Sequence, residues 1–461
     1  MIADLKPYPA YRESGLPWLG KVPEHWKQRR TKFLFRERVQ KGFPDEPLLA
    51  ATQSKGVVRK DEYGSRTVTA TKDLHLLKLV EQGDYVISLR SFEGGIEVAY
   101  SRGIISPAYT VLAPQKEASH GYYTHFFKSP DFIKSLTLFV TGIREGQNID
   151  YERLSRAYLP LPPSDEQAAI VRFLNWANGQ LEKAIRAKRK VITLLNEQKQ
   201  VIIHRAVTRG LDPSVLFKPS GIPWLGDIPE HWEVRKLRTL FHTQGSGTTP
   251  SGDHYYGGSI NWVMSGDLND SVIKKTKRTV HGKALIAYST LKLYPENSIV
   301  VAMYGATIGK TGILGVAACT NQACCVFAQA MPTVNVFLIQ LIIQTAKPHL
   351  LRAAYGGGQP NINADVVRSL RIPFPPIKEQ DAILAHVELE TSRLTTAISR
   401  FEREIELFRE YRTRLVADVV TGKLDVREAA AKLPDEALID LPDNDSVEAL
   451  EDEPFEEEAL V

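Results

Sequence analysis

The stretch that decides the fold is residues 165–209, DEQAAIVRFLNWANGQLEKAIRAKRKVITLLNEQKQVIIHRAVTR. It opens after a proline cluster, Pro160, Pro162 and Pro163, and no proline recurs until Pro213. Leu174, Leu181, Leu195 and Ile202 fall on one seven-residue register, flanked by Ile185 and Ile192, and Lys188 is the polar member of the row. Apolar heptads sustained through a proline-free run predict a helix whose narrow stripe needs another helix. At 1.5 Å per residue the stretch makes a rod of about 68 Å.

A second copy of the pattern lies 213 residues downstream. Val387, Leu394, Phe401, Phe408 and Leu415 repeat the row, and Ile398 and Ile405 repeat its flank. The opening repeats as well: Pro162-Pro163-Ser164-Asp165-Glu166-Gln167 against Pro375-Pro376-Ile377-Lys378-Glu379-Gln380. Residues 165–209 hold nine Lys/Arg and four Asp/Glu, whereas residues 378–422 hold seven and nine. A basic stripe facing a mildly acidic one suits an antiparallel coiled coil within one molecule.

A shorter repeat precedes each rod. Ser14-Gly-Leu-Pro-Trp-Leu-Gly-Lys-Val-Pro-Glu-His-Trp26 returns as Ser220-Gly-Ile-Pro-Trp-Leu-Gly-Asp-Ile-Pro-Glu-His-Trp232, identical at ten of thirteen positions. Its offset is 206, so the second globular segment is seven residues longer than the first. Pro, Gly and Trp predict a clasp of turns anchored by indoles. His25 and His231 lack a recognisable nucleophile or metal-ligand partner and are expected to be structural.

The layout follows as residues 1–158, a globule; 159–214, a helical spacer; 215–371, a second globule; 372–427, a second spacer; and 428–461, an acidic tail expected to be disordered. In the first globule, strand-like runs Tyr85–Leu89, Ile96–Tyr100 and Tyr109–Leu112 precede a helix expected over His120–Ser135. Ser298–Met303, Gly312–Val316, Ala323–Phe327 and a helix over Val334–Thr345 answer them in the second. The fold class is therefore mixed α/β (α+β): two similar globules with two long helices and an approximate twofold.

Net charge is +4, from 58 Lys/Arg and 54 Asp/Glu. Residues 434–461 contain twelve acids and no Lys or Arg, so the rest of the chain carries +16. A basic body is the footprint of a polyanion partner. Cys319, Cys324 and Cys325 are odd in number and clustered, which excludes a disulfide framework and points to the cytosol. With no paired ligands beside them, a zinc site is not expected. The charge-free run 311–346 is broken by Asn, Gln and Pro and reads as buried strands, then a helix. Gly305-Ala-Thr-Ile-Gly309-Lys310-Thr311 resembles a phosphate loop but has one residue too few between its glycines. No catalytic constellation remains.

The twin Pro-Trp-Leu-Gly…Pro-Glu-His-Trp segments, the twin Pro-Pro…Glu-Gln helix openings and Tyr411-Arg-Thr-Arg-Leu-Val-Ala-Asp-Val-Val-Thr-Gly-Lys-Leu-Asp-Val-Arg427 resemble the specificity subunit of type I restriction–modification enzymes. The resemblance covers residues 8 to about 430. It implies two target-recognition domains that each read half of a bipartite double-stranded DNA site. It implies a coiled coil that spaces them and two methyltransferase (M) subunits that methylate adenine with S-adenosylmethionine. Restriction (R) subunits add ATP- and Mg-dependent translocation and cleavage. The chain itself would hold no cofactor or metal and catalyse nothing.

Candidate phosphate contacts are Lys27, Arg29, Arg30 and Lys32 in the first globule and Lys274, Lys275, Lys277 and Arg278 in the second. Candidate base readers are Gln53, Lys55, Arg59, Arg66 and Arg90, and then Asp253, His254, Tyr255, Lys310, Asn321 and Gln322. Base reading is expected where the globules differ, with half-sites about 10 bp apart. Two other classes are open to test: a single-chain DNA-modifying enzyme, and a coiled-coil adaptor that binds no DNA.

Overall fold

The structure, a computed structural model, describes residues 5–62, 73–89, 91–118, 120–141, 148–355 and 360–434. Arg66, Arg90 and residues 435–461 of the acidic tail lie outside these residues. Residues 428–434, expected to be disordered with the rest of the tail, are ordered instead: Arg427–Ala431 form a short helix, and Ala430 and Leu433 are buried. The chain divides into two compact units, residues 1–188 with 403–461, and residues 189–402. The division passes through both long helices, Ser164–Arg209 and Ile377–Val420. Each unit is thus a globule with half of each helix.

Inside each unit the helix halves run antiparallel. In the first, Glu182 meets Arg412 at 3.4 Å and Lys188 meets Glu404 at 2.5 Å, so partner numbers fall as the chain advances. Phe173, Leu174 and Ala177 share a core with Leu415, Val419 and Val420. In the second, Lys199 donates to the Thr395 hydroxyl at 3.1 Å, while Ile203, Ala206 and Val207 share a core with Ile383 and Val387. Every residue of the two heptad rows is buried or half-buried: Leu174, Leu181, Ile185, Val387, Ile398, Ile405 and Leu415 fully, and Ile192, Leu195, Ile202, Leu394, Phe401 and Phe408 partly. Lys188 keeps its charge in the row because Glu404 accepts from it and the Phe408 ring lies 5.5 Å from its ammonium. A paired and stacked cation avoids the desolvation penalty of a lone one.

Each globule has its own sheet, with equivalent strands in the same order. In the first its order is Phe35–Arg38, Thr110–Pro114, Tyr85–Ile87, Glu97–Val98, all antiparallel. In the second it is Phe241–Gly245, Cys324–Ala330, Ile299–Ala302, Thr311–Leu314, again antiparallel, with Ser271–Ile273 added in parallel at the edge. The strand pairs matched in sequence occupy matching places. The helix expected over His120–Ser135 is instead two, His120–Phe126 and Pro130–Leu136. Pro130 has no N–H to give, and it holds Ser129 extended (ψ 139°), which ends the first helix. Val336–Thr345 carries no proline and stays whole, its N-terminus capped by the Asn335 side chain.

The charge-free run resolves into strands Thr311–Leu314, Ala318–Thr320 and Cys324–Ala330 and then that helix. None of the helices among the described residues is long and apolar enough to cross a membrane. All three cysteines are buried free thiols, and burial pushes those of Cys319 and Cys325 up to about 12.

The two sequence repeats meet in space. His25 Nε2 lies 2.7 Å from the Glu166 carboxylate, Trp26 Nε1 donates to it at 2.7 Å, and Tyr8 donates to it too. The clasp therefore grips the first turn of the helix that follows its globule. His231 grips Glu379 likewise at 2.9 Å, but Trp232 Nε1 finds no acceptor among the described residues. Beside each glutamate a buried glutamine ties the helix to the globule. Gln167 donates to the carbonyls of Pro162 and Glu117, and Gln380 to those of Pro375 and Thr333. Each histidine pairs with a carboxylate 141 or 148 residues away, a contact that ties the clasp to the helix.

Removing a shared acceptor strands every donor that used it. Glu166→Ala is expected to cost about 2–4 kcal/mol and Glu379→Ala about 1 kcal/mol. Urea denaturation of the two variants checks the ranking.

Candidate nucleic-acid interface

Phe35 and Phe241 are equivalent at the start of the sheet and stand 206 apart; Tyr85 and Ser298, at the next shared strand, stand 213 apart. The seven extra residues therefore all fall between these two strands, in 246–298 as against 39–84. These two segments also fold differently. The first makes a hairpin, Leu49–Thr52 with Gly56–Arg59, and a strand Lys78–Val80 paired with Gly103–Ile105. The second makes a three-stranded sheet ordered Arg278–Val280, Tyr256–Val263, Ala318–Thr320 and the helix Gly282–Ala287. Each has its own apolar centre: Leu49, Val57 and Val80 in one, Trp262, Val280 and Ala284 in the other. One frame thus carries two unlike inserts.

In the second insert, Lys274, Lys275 and Lys277 are exposed and make no ion pair among the described residues. Thr276 between them is buried, its hydroxyl donating to the Arg278 carbonyl at 2.6 Å. That inward anchor leaves the three lysines on the outside. Arg278 lies over the Tyr256 ring at 5.5 Å. His254 and Tyr255 have ring centres 4.0 Å apart, and Tyr255 meets Tyr288 edge-on at 5.4 Å. Asp253 begins the same short turn, Asp253–Tyr255. Cations without acid partners beside aromatic faces are suited to phosphate and base contact.

The other candidates of this globule are partly occupied. Asn321 accepts the Ala323 amide at 3.1 Å, a turn role, and Gln322 accepts the Thr249 hydroxyl at 2.7 Å. Lys310 is half-buried, just before the strand Thr311–Leu314.

In the first globule, Lys27, Arg29 and Arg30 lie on a strand paired with Tyr158–Leu161, within the shared frame. Arg29 is held by Glu117 at 3.1 Å and Arg38 by Asp84 at 2.6 and 3.0 Å. Arg30 lies over Tyr158 and Lys32 over Phe33, both exposed and without an ion pair among the described residues. Gln53 is exposed at the hairpin tip and Lys55 is half-buried there. Arg59 is clamped by Asp61 at 2.7 and 3.1 Å, so contact with a base requires that pair to open. Arg66 and Arg90 lie outside the described residues.

Among the described residues, no cluster of three potential metal ligands occurs. The exposed face of the long helices carries a signal that sequence reasoning missed, although the 213 offset contains it. Leu194 and Leu407 are equivalent and are exposed alike, 53% and 54%. Each helix thus holds one apolar side chain out at the same register.

Residues 229–403 match the family described as type I restriction modification DNA specificity domain. The chain is 23% identical over 434 residues to the putative type I restriction enzyme MjaX specificity subunit of Methanocaldococcus jannaschii, covering 89% of this chain and 96% of that one. Along most of its length the chain is similar to type I specificity subunits. The MjaVIII specificity subunit of the same archaeon is also 23% identical, over 76% of this chain and 81% of its own length. A solved chain from work on complex assembly and conformational transition of the type I R-M system shares the fold. Its TM-score is 0.62 at 15% identity, covering 87% of this chain and 99% of that one. The matched specificity domain spans the second insert whole.

Exchanging Lys274, Lys275 and Lys277 for Ala is expected to weaken binding to all duplexes alike. The slope of log affinity against log salt should fall by about 0.9 for each phosphate no longer neutralised. Anisotropy titrations of the assembled complex over a salt series measure it.

Proposed function

We propose that this chain is the DNA-specificity subunit of a type I restriction–modification assembly. The observation that carries the reading is one sheet frame used twice, each time bearing a different insert and each time bound into half of a long helix pair. A duplicated frame with divergent inserts fits a bipartite target, one insert to each half. The phosphate contacts are assigned to Lys27, Arg30 and Lys32 in one globule and to Lys274, Lys275, Lys277 and Arg278 in the other. Base reading is assigned to the 53–55 tip and to the His254–Tyr255 surface.

The work of the chain is recognition. Methyl transfer from S-adenosylmethionine to adenine belongs to two methyltransferase subunits, and ATP- and Mg-dependent cleavage to restriction subunits. The chain holds no cofactor of its own in this scheme, and its setting is the cytoplasm. The equal exposure of Leu194 and Leu407 supports two equivalent methyltransferase contacts, one for each unit.

Mapping methylated adenines across a genome with and without this chain tests the reading. The expected result is one bipartite motif, methylated only when the chain is present; methylation independent of it overturns the proposal. Replacing residues 27–158 by those of another family member should alter one half of the motif and leave the other. Leu194→Asp and Leu407→Asp should each release one methyltransferase copy, read as a mass change by native mass spectrometry, while leaving folding intact because both side chains are exposed.

A further inference from the structure

The tip Gln53–Lys55 is held by contacts that the binding role does not itself require. The ammonium of Lys128, between the helices His120–Phe126 and Pro130–Leu136, donates three ways. It reaches the Gln53 carbonyl at 3.2 Å, the Gly94 carbonyl at 2.9 Å and the carboxylate of Glu97. Three donors thus meet three acceptors. Glu97 stands on the fourth strand of the sheet and is 3% exposed. The hairpin also leans on the end of that strand, where Tyr100 donates its amide to the Val57 carbonyl at 3.0 Å. The Gln53 side chain lies across Gly94, close enough that a Cβ there would come within 2.6 Å of it.

The other globule ties its insert at the same place by different chemistry. Thr311, on the fourth strand of that sheet, donates its hydroxyl to Asp270 at 2.9 Å and accepts from Gln340 and Gln344 at 3.1 Å each. Asp270 directly precedes the insert strand Ser271–Ile273. Both inserts are therefore lashed from a helix, through the fourth strand, to an insert loop. Only the first lashing runs through a lysine.

We propose that Lys128 is a positioning residue for specificity: it locks the 53–55 tip so that Gln53 and Lys55 meet one half of the target in a fixed orientation. This rests on the DNA-specificity reading. Lys128 touches no base; its effect passes through the tip, and it reaches only the half read by the first globule. Burial holds the carboxyl of Glu97 up at about 7, against the pull of Lys128. Burial, and then the charge of Glu97, raise the neighbouring Tyr100 hydroxyl. Above that value the carboxylate is charged and the latch is complete; below it Lys128 loses its ionic partner.

The test uses the methyltransferase complex assembled with the full chain, S-adenosylmethionine, and duplexes carrying the mapped motif with single-base changes in each half. Lys128→Met should lower kcat/KM discrimination at least tenfold in one half and less than twofold in the other. Lys128→Arg should restore most of it. Gly94→Ala, which meets only the flexible end of Gln53, should relax the same half without unfolding the chain. Wild-type discrimination in that half should fall between pH 8 and pH 6, and Glu97→Gln should flatten the profile. Variants that keep full discrimination, or lose it equally in both halves, overturn the latch while leaving the specificity role standing. A wild-type complex that methylates no defined sequence overturns both.

Discussion

Two apolar ridges too narrow to fold onto a globule by themselves must find one another, and each unit is organised around the place where they do. The core of the first globule runs without a break from Tyr122 and Phe126 through Phe173 and Leu174 to Leu415 and Val420. The second runs in the same way from Leu338 and Ile342 through Ile203 and Val207 to Val387. Helix pairing and globule packing are thus one hydrophobic event in each unit. Buried Gln167 and Gln380, with the clasped Glu166 and Glu379, fix the direction in which each helix leaves its globule. Buried polar groups with full sets of partners are well suited to fixing a direction, because any other arrangement strands them.

The charges divide by the same logic. Arg38 and Lys188 are half-buried and have acid partners. Lys274, Lys275 and Lys277 are exposed and have none among the described residues. Solvated lysines without partners add little to folding. Their field is instead available to a polyanion. A high net charge concentrated in unpaired surface groups therefore says more about the partner than about the stability of the chain.

Much of the frame was legible because it is periodic. The heptad rows, the two offsets and the matched strands all rest on spacing, and spacing survives translation into three dimensions. The helix break at Pro130 was equally legible, since proline after Ser129 forbids continuation, yet the expectation ran one helix through it. The latch of Lys128 on Glu97 was not legible: 31 residues separate them, and nothing local to either announces the other. The clamp on Arg59 sits two residues away, where Asp61 is a plausible partner and an equally plausible solvated acid. Which cations are free is a property of packing and does not appear in composition.

The make-up of the first core sets a timetable. Its globule, residues 5–161, leaves the ribosome first, but the core is complete only with Leu415, Val419, Val426 and Ala430. The second unit needs nothing beyond residue 402. At about 5–20 residues per second the leading globule waits on the order of tens of seconds for its last apolar pieces. The domain born first is finished last, and in that interval its aromatic face is open to chaperones and to aggregation.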